Sequence, residues 1–423
     1  MTAKPTTTKC GIICEYNPFH NGHLYHIQKT KAALNTIDPK SQIICVMSGD
    51  FVQRAQPAVF DKRVRAEAAV RAGADAVAEL PAVFATAGGQ QFAHGAIQIL
   101  SQIEGVRYLS FGVETDRPEL LETIAEIQLN ESNLFKTVLR DALKNGVSYP
   151  VAITNATTAE FENLYRDNAD YNQLKHNCQK HDDSAARIKK DLITQILNAP
   201  NNVLGIEYLK AIKRKNLNIK PVFIKRTDKG YNSLELTPPF ASASAIRTLI
   251  AAGKHYTDFT PFDYGKNIVD FDLFDGLIRT ALLTKNPPAA DLPLSKEVFE
   301  KLKKAAAVYH RLDDIIMSAK SKNHTYAALK RFCLQVMCDI TPEILDYDGE
   351  IFAKMLYMKK SFKPHLKDLG DRFLISSADE KLLHTYQKSS KTALDIYNID
   401  KKISDIYSVI TRQNSSRHFN KIF

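Results

Sequence analysis

The run CGIICEYNPFHNGHLYH, from Cys10 to His26, holds the residues best placed to do chemistry. CGIIC reads as a buried strand, which the polar, proline-bearing stretch Glu15 to Pro18 ends. A helix then starts near Asn21 or Gly22, so His20 and His23 fall on a loop and on the first helical turn. Two imidazoles three residues apart can face one ligand together. The start of a helix adds free backbone N–H groups and a positive dipole end, which suits a phosphate. Gly22, between the histidines, lets backbone approach that ligand closely. An HxxH pair can also bind metal, but such a site needs a further ligand, and Glu15 is the nearby carboxylate at usable spacing. A phosphate is the expected occupant, with no protein-held metal.

These residues need a sheet edge beneath them. The first 115 or so residues alternate β-branched apolar runs with helical patterns, the sign of βαβ units and a parallel sheet. Strands are expected at Cys10 to Cys14, Gln42 to Met47, Ala74 to Leu80 and Arg107 to Gly112, with helices at about Gly22 to Leu34, Lys62 to Ala72 and Phe92 to Ile103. In open α/β sheets the ligand sits at the carboxyl ends of the strands, where His20 and His23 fall. Pro118 to Ala199 is helical and polar and reads as an insertion. A strand at Pro221 to Lys225 follows the helical LGIEYLKAIKRK, and Gly230 marks a turn after it. ASASAIRTLIAAG then begins on small hydroxyl residues and becomes a helix that Gly253 can end.

The fold class expected is therefore α/β, a Rossmann-like parallel sheet over residues 1–255 with a helical insertion at about 118–199. A mainly α-helical C-terminal domain, 256–423, follows, in which proline pairs at Pro287 and Pro288 and helical patterns replace the β-alternation.

Composition agrees with a globular protein: 423 residues, 44% hydrophobic and 25% charged. The formal charge of +10 favours a polyanionic partner such as nucleic acid. Cys10, Cys14, Cys45, Cys178, Cys333 and Cys338 form no CxxC pair and read as free thiols of a reducing compartment. With no apolar signal-peptide core and no run of ~18 apolar residues, a soluble cytoplasmic protein is expected, without a membrane partner.

HNGH matches the HxGH signature of the nucleotidyltransferase superfamily. The longer EYNPFHNGHLYH, with MSGDFVQR, QPAVFDK, DAVAELP, FGVET and APNNVLGIEY, resembles the bacterial tRNA(Met) cytidine acetate ligase family over most of residues 10–250. Ser242-Ala243-Ser244-Ala245-Ile246-Arg247 resembles the superfamily's second phosphate motif, ISSTxxR. Asn17 stands where the wider superfamily often has an acidic residue. Asparagine is expected there in the ligase family, which tells against pantetheine-phosphate or nicotinate-nucleotide adenylyl transfer.

The resemblance implies that His20 and His23 are catalytic. It implies an ATP pocket drawn from Ile13, Glu15, Tyr16, Asn17, Pro18, Phe19, His20, Asn21, Gly22, His23, His26, Gly112, Asn202, Arg226, Ser244 and Arg247. ATP with Mg²⁺, acetate and elongator tRNA(Met) are the implied substrates and partners, and no protein partner is inferred. The implied reaction activates acetate as acetyl-adenylate and acetylates the N4 amino group of the wobble cytidine.

Three basic clusters could grip the RNA. They are Lys210, Lys213, Arg214 and Lys215; Lys301, Lys303, Lys304 and Arg311; and Lys354, Lys359, Lys360, Lys363 and Lys367, with Tyr357 and Phe362 interleaved. Lys359, Lys360 and Lys363 are the chosen tRNA contacts. From the residues alone two alternatives stay open: adenylyl transfer to a small phosphorylated metabolite, and a non-catalytic nucleotide- or RNA-binding module.

Overall fold

The computed structural model describes residues 7–165, 191–226, 239–266, 268–286, 296–321, 324–375, 379, 383 and 391–413. Gly230, the pair Pro287 and Pro288, and Cys178 lie outside them. The strands are β1 (Lys9–Cys14), β2 (Gln42–Ser48), the two-residue β3 (Phe51–Val52) and β4 (Gln56–Pro57), β5 (Ala76–Leu80), β6 (Val106–Val113), β7 (Lys220–Lys225), β8 (Ala353–Met358) and β9 (Phe373–Leu374). Seven of them form one sheet in the order β7-β6-β1-β2-β5-β8-β9, while β3 and β4 make a separate antiparallel hairpin.

The continuous apolar run of β1 suits a central strand covered on both faces. It pairs in parallel with β2, Cys10 opposite Ile43 through Cys14 opposite Met47, and with β6 on its other side. β2 pairs in parallel with β5. The crossover helices α1 (Asn21–Asn35) and α2 (Lys62–Arg71) bury Ile27, Leu34, Ala66 and Ala69 in one cluster with Cys10, Ile12, Cys45, Met47 and Val77. Each large apolar side chain so buried contributes about 1.5–3 kcal/mol.

The expected segment beyond 256 is indeed mostly helical, but it also supplies the far edge of the sheet. β8 pairs antiparallel to β5, with Ala76 opposite Met358, and its Leu356 joins the same core cluster. The lysine in AKMLYMKK hides this strand from a hydropathy reading. Lys354 is 5% exposed and its Nζ meets Asp400 Oδ2 at 2.8 Å. Asp400 lies on the C-terminal helix Lys391–Thr411, and its Oδ1 accepts from the Ala82 amide.

From the same helix Tyr407 donates to the Ala58 carbonyl, and Ser404 donates to Asp50. The chain therefore does not divide at 255/256. Its compact units are Met1–Phe111 with Asn218–Phe423, and Gly112–Leu217. Pairing of β8 with β5 and these buried polar ties make 256 onward part of the first unit.

The second unit is helical and runs from Gly112 to Leu217. It contains α3 (Glu119–Leu129), α4 (Asn133–Lys144), α5 (Tyr149–Tyr165) and a helix at Pro200–Arg214. Ser132 caps α4 by accepting from Phe135 N at 3.1 Å.

Candidate active site

The path from β1 to α1 is bent sharply at the sheet's carboxyl edge. Tyr16 adopts a left-handed backbone, φ +48°, which a non-glycine residue holds only when its surroundings fix it. Here its ring is buried against Phe19, 4.8 Å between centroids, and its hydroxyl lies 3.6 Å from Cys45 Sγ. Ile13, Tyr16, Pro18 and Phe19 are thus buried wall, supporting the residues that follow.

Arg65, fully buried on α2, holds the same turn from below. Its guanidinium donates to the carbonyls of Glu15 (2.7 Å), Ser48 (3.1 Å), Phe60 (2.9 Å) and Gly49. Four main-chain acceptors satisfy a charge that would otherwise be costly to bury. The sequence reading missed this residue, since arginine on a predicted helix reads as surface.

His20 is the N-cap of α1 and is 3% exposed. Its Nδ1 accepts from the Gly22 amide at 3.1 Å, and His23 Nδ1 accepts from the His20 amide at 3.2 Å. The two rings stack with centroids 3.7 Å apart. An Nδ1 that accepts from a backbone N–H leaves the ring proton on Nε2. Both imidazoles consequently offer an Nε2–H donor, fixed by the backbone of the helix start.

Burial holds the His23 pKa well below the usual histidine range, with His20, Arg226 and His26 acting in the same direction. It is a neutral donor at neutral pH. His26, one turn further on, lies 2.9 Å from Ser110 Oγ, which in turn lies 2.6 Å from Thr30 Oγ1. Burial and then Arg226 push its pKa down to about 4. Arg226, which follows β7, lies within electrostatic reach of both histidines.

The remaining motif residues divide by role. Asn17 Oδ1 accepts from Val59 N at 2.9 Å, while its buried Nδ2 has no hydrogen-bond partner among the described residues. Asn21 directs its carboxamide to the carbonyls of Pro239 and Asp258, so it anchors a loop. Glu15 Oε1 accepts from Gln53 N at 2.6 Å. Burial raises its pKa, opposed by that amide and by Arg247, Arg54 and Arg65.

The two serines of SASAIR act differently. Ser242 is the N-cap of the helix Ala243–Ala251 and accepts from Ala245 N. Ser244 Oγ accepts from Arg247 Nη2 at 3.0 Å, and Arg247 Nη1 donates to the Asn17 carbonyl at 2.8 Å. The second motif is thereby tied to the first.

Gly112 and Asn202 belong to the 112–217 unit. Within it, Asn202 is 1% exposed and its Oδ1 accepts from Glu114 N at 2.8 Å. Neither Asn201 nor Asn202 caps its helix, because Ala199 is the N-cap and Pro200 takes the first turn.

The basic clusters also sort by burial. Lys354 and Lys210 are buried, paired with Asp400 and Glu207, so they leave the candidate RNA surface. Lys359 meets Asp75 at 2.9 Å and is 30% exposed at its side chain. Lys360 and Lys363 are exposed, whereas Phe362 is fully buried and offers no ring for stacking. The five described cysteines are free. No helix among the described residues is long and apolar enough to cross a membrane.

The family model of HIGH Nucleotidyl Transferase matches residues 7–421. A tRNA(Met) cytidine acetate ligase of Thermoanaerobacter sp. (strain X514) is 32% identical over 416 residues, covering 94% of this chain and 96% of that protein. The ligase of the same name from Halothermothrix orenii is 31% identical over 436 residues, 98% of this chain and 97% of its own. Among solved structures, apo Thermotoga maritima TmcAL has the same fold, with a TM-score of 0.82 at 24% identity over 99% of this chain and 98% of that one. The form of that protein bound with alpha-thio ATP scores 0.78 at 24% identity, over 96% and 95%. With its HNGH turn at the carboxyl edge of a largely parallel sheet and relatives matched nearly end to end, the chain belongs to the HIGH nucleotidyl transferases and, within them, to the tRNA(Met) cytidine acetate ligases, a family of enzymes.

Proposed function

We propose that this enzyme activates acetate with ATP and transfers the acetyl group to the N4 amino group of the wobble cytidine of elongator tRNA(Met). An acetate oxygen attacks the α-phosphorus in line, the bond to the bridging oxygen of the β-phosphate breaks, and pyrophosphate leaves. The cytidine amine then attacks the acetyl carbon of the acetyl-adenylate, losing a proton as AMP leaves. Negative charge builds on the phosphate oxygens in the first step, so the need is for fixed donors rather than a protein nucleophile.

The observation that carries this reading is the stacked His20–His23 pair. Both rings keep Nε2–H as the donor at the amino end of α1, fixed by backbone hydrogen bonds. Arg226, Ser244 and Arg247 supply the further donors for phosphate. The alpha-thio ATP bound to TmcAL and the ligase names of the relatives support ATP and tRNA(Met) as ligands.

Mg²⁺ accompanies ATP in this reading. Among the described residues no group of three or more His, Cys, Asp or Glu side chains could hold an ion. The ion would come with the nucleotide and neutralise phosphate charge. A tRNA acceptor also supports a cytoplasmic site of action. Lys360 and Lys363 remain the proposed RNA contacts, and 256–423 the part of the chain that supplies them.

ATP–pyrophosphate exchange tests the chemistry. Exchange that depends on acetate is expected, together with loss of N4-acetylcytidine from tRNA in cells lacking the protein. Exchange that depends instead on a phosphorylated metabolite, or none at all, would overturn the proposal.

A further inference from the structure

Resting on the triphosphate reading above, we propose that Arg54 is a second arginine for the distal phosphates, closing on them opposite Arg247. A cavity of about 320 Å³ is lined by Arg54, Gln56 and Val59 from the hairpin side and by Ser244, Arg247 and Thr248 from the helix Ala243–Ala251. At ~30 Å³ per water, it has room for a hydrated diphosphate.

Both sides of this cavity are fastened to the histidine turn. Gln53 N donates to Glu15 Oε1 at 2.6 Å, and Arg247 Nη1 donates to the Asn17 carbonyl at 2.8 Å. The hairpin that carries Arg54 is closed by backbone hydrogen bonds. Ala55 takes a left-handed φ of +51°, its amide donates to Val52 O at 2.8 Å, and Ala58 N donates to Asp50 O at 2.9 Å. Beneath the tip, Phe51 packs against Phe274 and Tyr407. The exposed Arg54 is thus held on a fixed mount.

The Arg54 and Arg247 guanidiniums both act on the Glu15 carboxylate, which places the two forks around one point. Lys330 lies within electrostatic reach of Arg54 on the far side, where Asp275 and Asp313 offset it. Those two carboxylates are engaged by Leu312 N and the Tyr326 hydroxyl. Two guanidinium forks from separate elements, one on a hairpin and one on a helix, suit a ligand with oxygens on several sides, as a diphosphate has and an acetate lacks.

Titration calorimetry of the full chain with ATP, pyrophosphate and AMP tests this. Arg54→Gln is expected to weaken ATP and pyrophosphate by about tenfold or more while leaving AMP within about twofold, and Arg54→Lys should fall between. Parent-like affinity for ATP and pyrophosphate, or an equal loss for AMP, would overturn the role. A loss seen only with tRNA would assign Arg54 to the RNA instead. Arg247→Gln is measured alongside. If it loses ATP and Arg54→Gln does not, the triphosphate reading stands and this inference falls. If the parent binds none of the three ligands, the reading itself falls and takes the inference with it.

Discussion

Arg247 Nη1 donates to the main-chain carbonyl of Asn17 at 2.8 Å across 230 positions of sequence, while its Nη2 reaches Ser244. One planar fork thereby aligns the second phosphate motif on the first. A lysine has no such fork. Arg247→Lys should raise the KM for ATP about tenfold and lower Tm by only about 2–4 °C. Initial rates at subsaturating ATP, with a thermal melt beside them, separate the two effects.

The histidine pair makes a sharper claim. Removing either ring takes away one fixed donor to developing charge, which typically costs about 10²–10³-fold in rate. His20→Ala and His23→Ala should each show that loss in acetate-dependent pyrophosphate exchange, with far-UV circular dichroism unchanged. A folded double variant that exchanges at the parent rate would remove the phosphate role.

His26 gives a pH signature of its own. Its folded-state pKa of about 4 lies below the ~6.5 of an unfolded histidine. The unfolded chain therefore takes up the proton first, so this contribution to stability is full above about pH 6.5 and is lost as pH falls toward 4. His26→Gln keeps a polar partner for Ser110 without that titration. Its urea midpoint should vary less over this window than the parent's, and equal slopes would refute the assignment.

Lys62 sits between Asp50 and Glu79, 2.8 and 2.6 Å away, with all three side chains buried. Burial raises the Glu79 pKa to about 7 against the pull of Lys62. Lys62→Met would strand both carboxylates. A loss of about 3–5 kcal/mol in chemical denaturation is expected, since breaking a buried pair leaves charge uncompensated.

For RNA, charge reversal at Lys360 and Lys363 should leave pyrophosphate exchange intact and weaken tRNA binding. The slope of log affinity against log salt should fall by about one for each lysine–phosphate pairing removed. Lys359→Glu should differ, because Lys359 pairs with Asp75, and lowered stability should dominate its effect. Filter binding over a salt series, with melts, distinguishes the three positions.

What was legible in the sequence was local. β1, the turn and α1 follow one another from Lys9 to Asn35, so strand pattern, helix start and histidine spacing act over a few residues and can be read directly. The same holds for the cap at Ser242 and for the helical stretch after Pro118.

Tertiary structure alone decided the rest, wherever the deciding partner is far along the chain. Lys354, Lys210 and Arg65 have the composition of solvated surface, and distant partners such as Asp400 and four main-chain carbonyls offset the cost of burying them. β8 is a strand because β5 offers it an edge, and that single pairing turned an expected domain boundary into the interior of one unit. Asn201 and Asn202 lie inside the helix that Pro200 starts, and Asn202 turns to Glu114. Arg54 ends the MSGDFVQR run, but nothing in that run sets it beside Arg247. Its place beside Arg247 exists because a short hairpin and a helix almost two hundred positions away are fastened to the same turn, a constraint that hydrogen bonds impose through space and that no local pattern records.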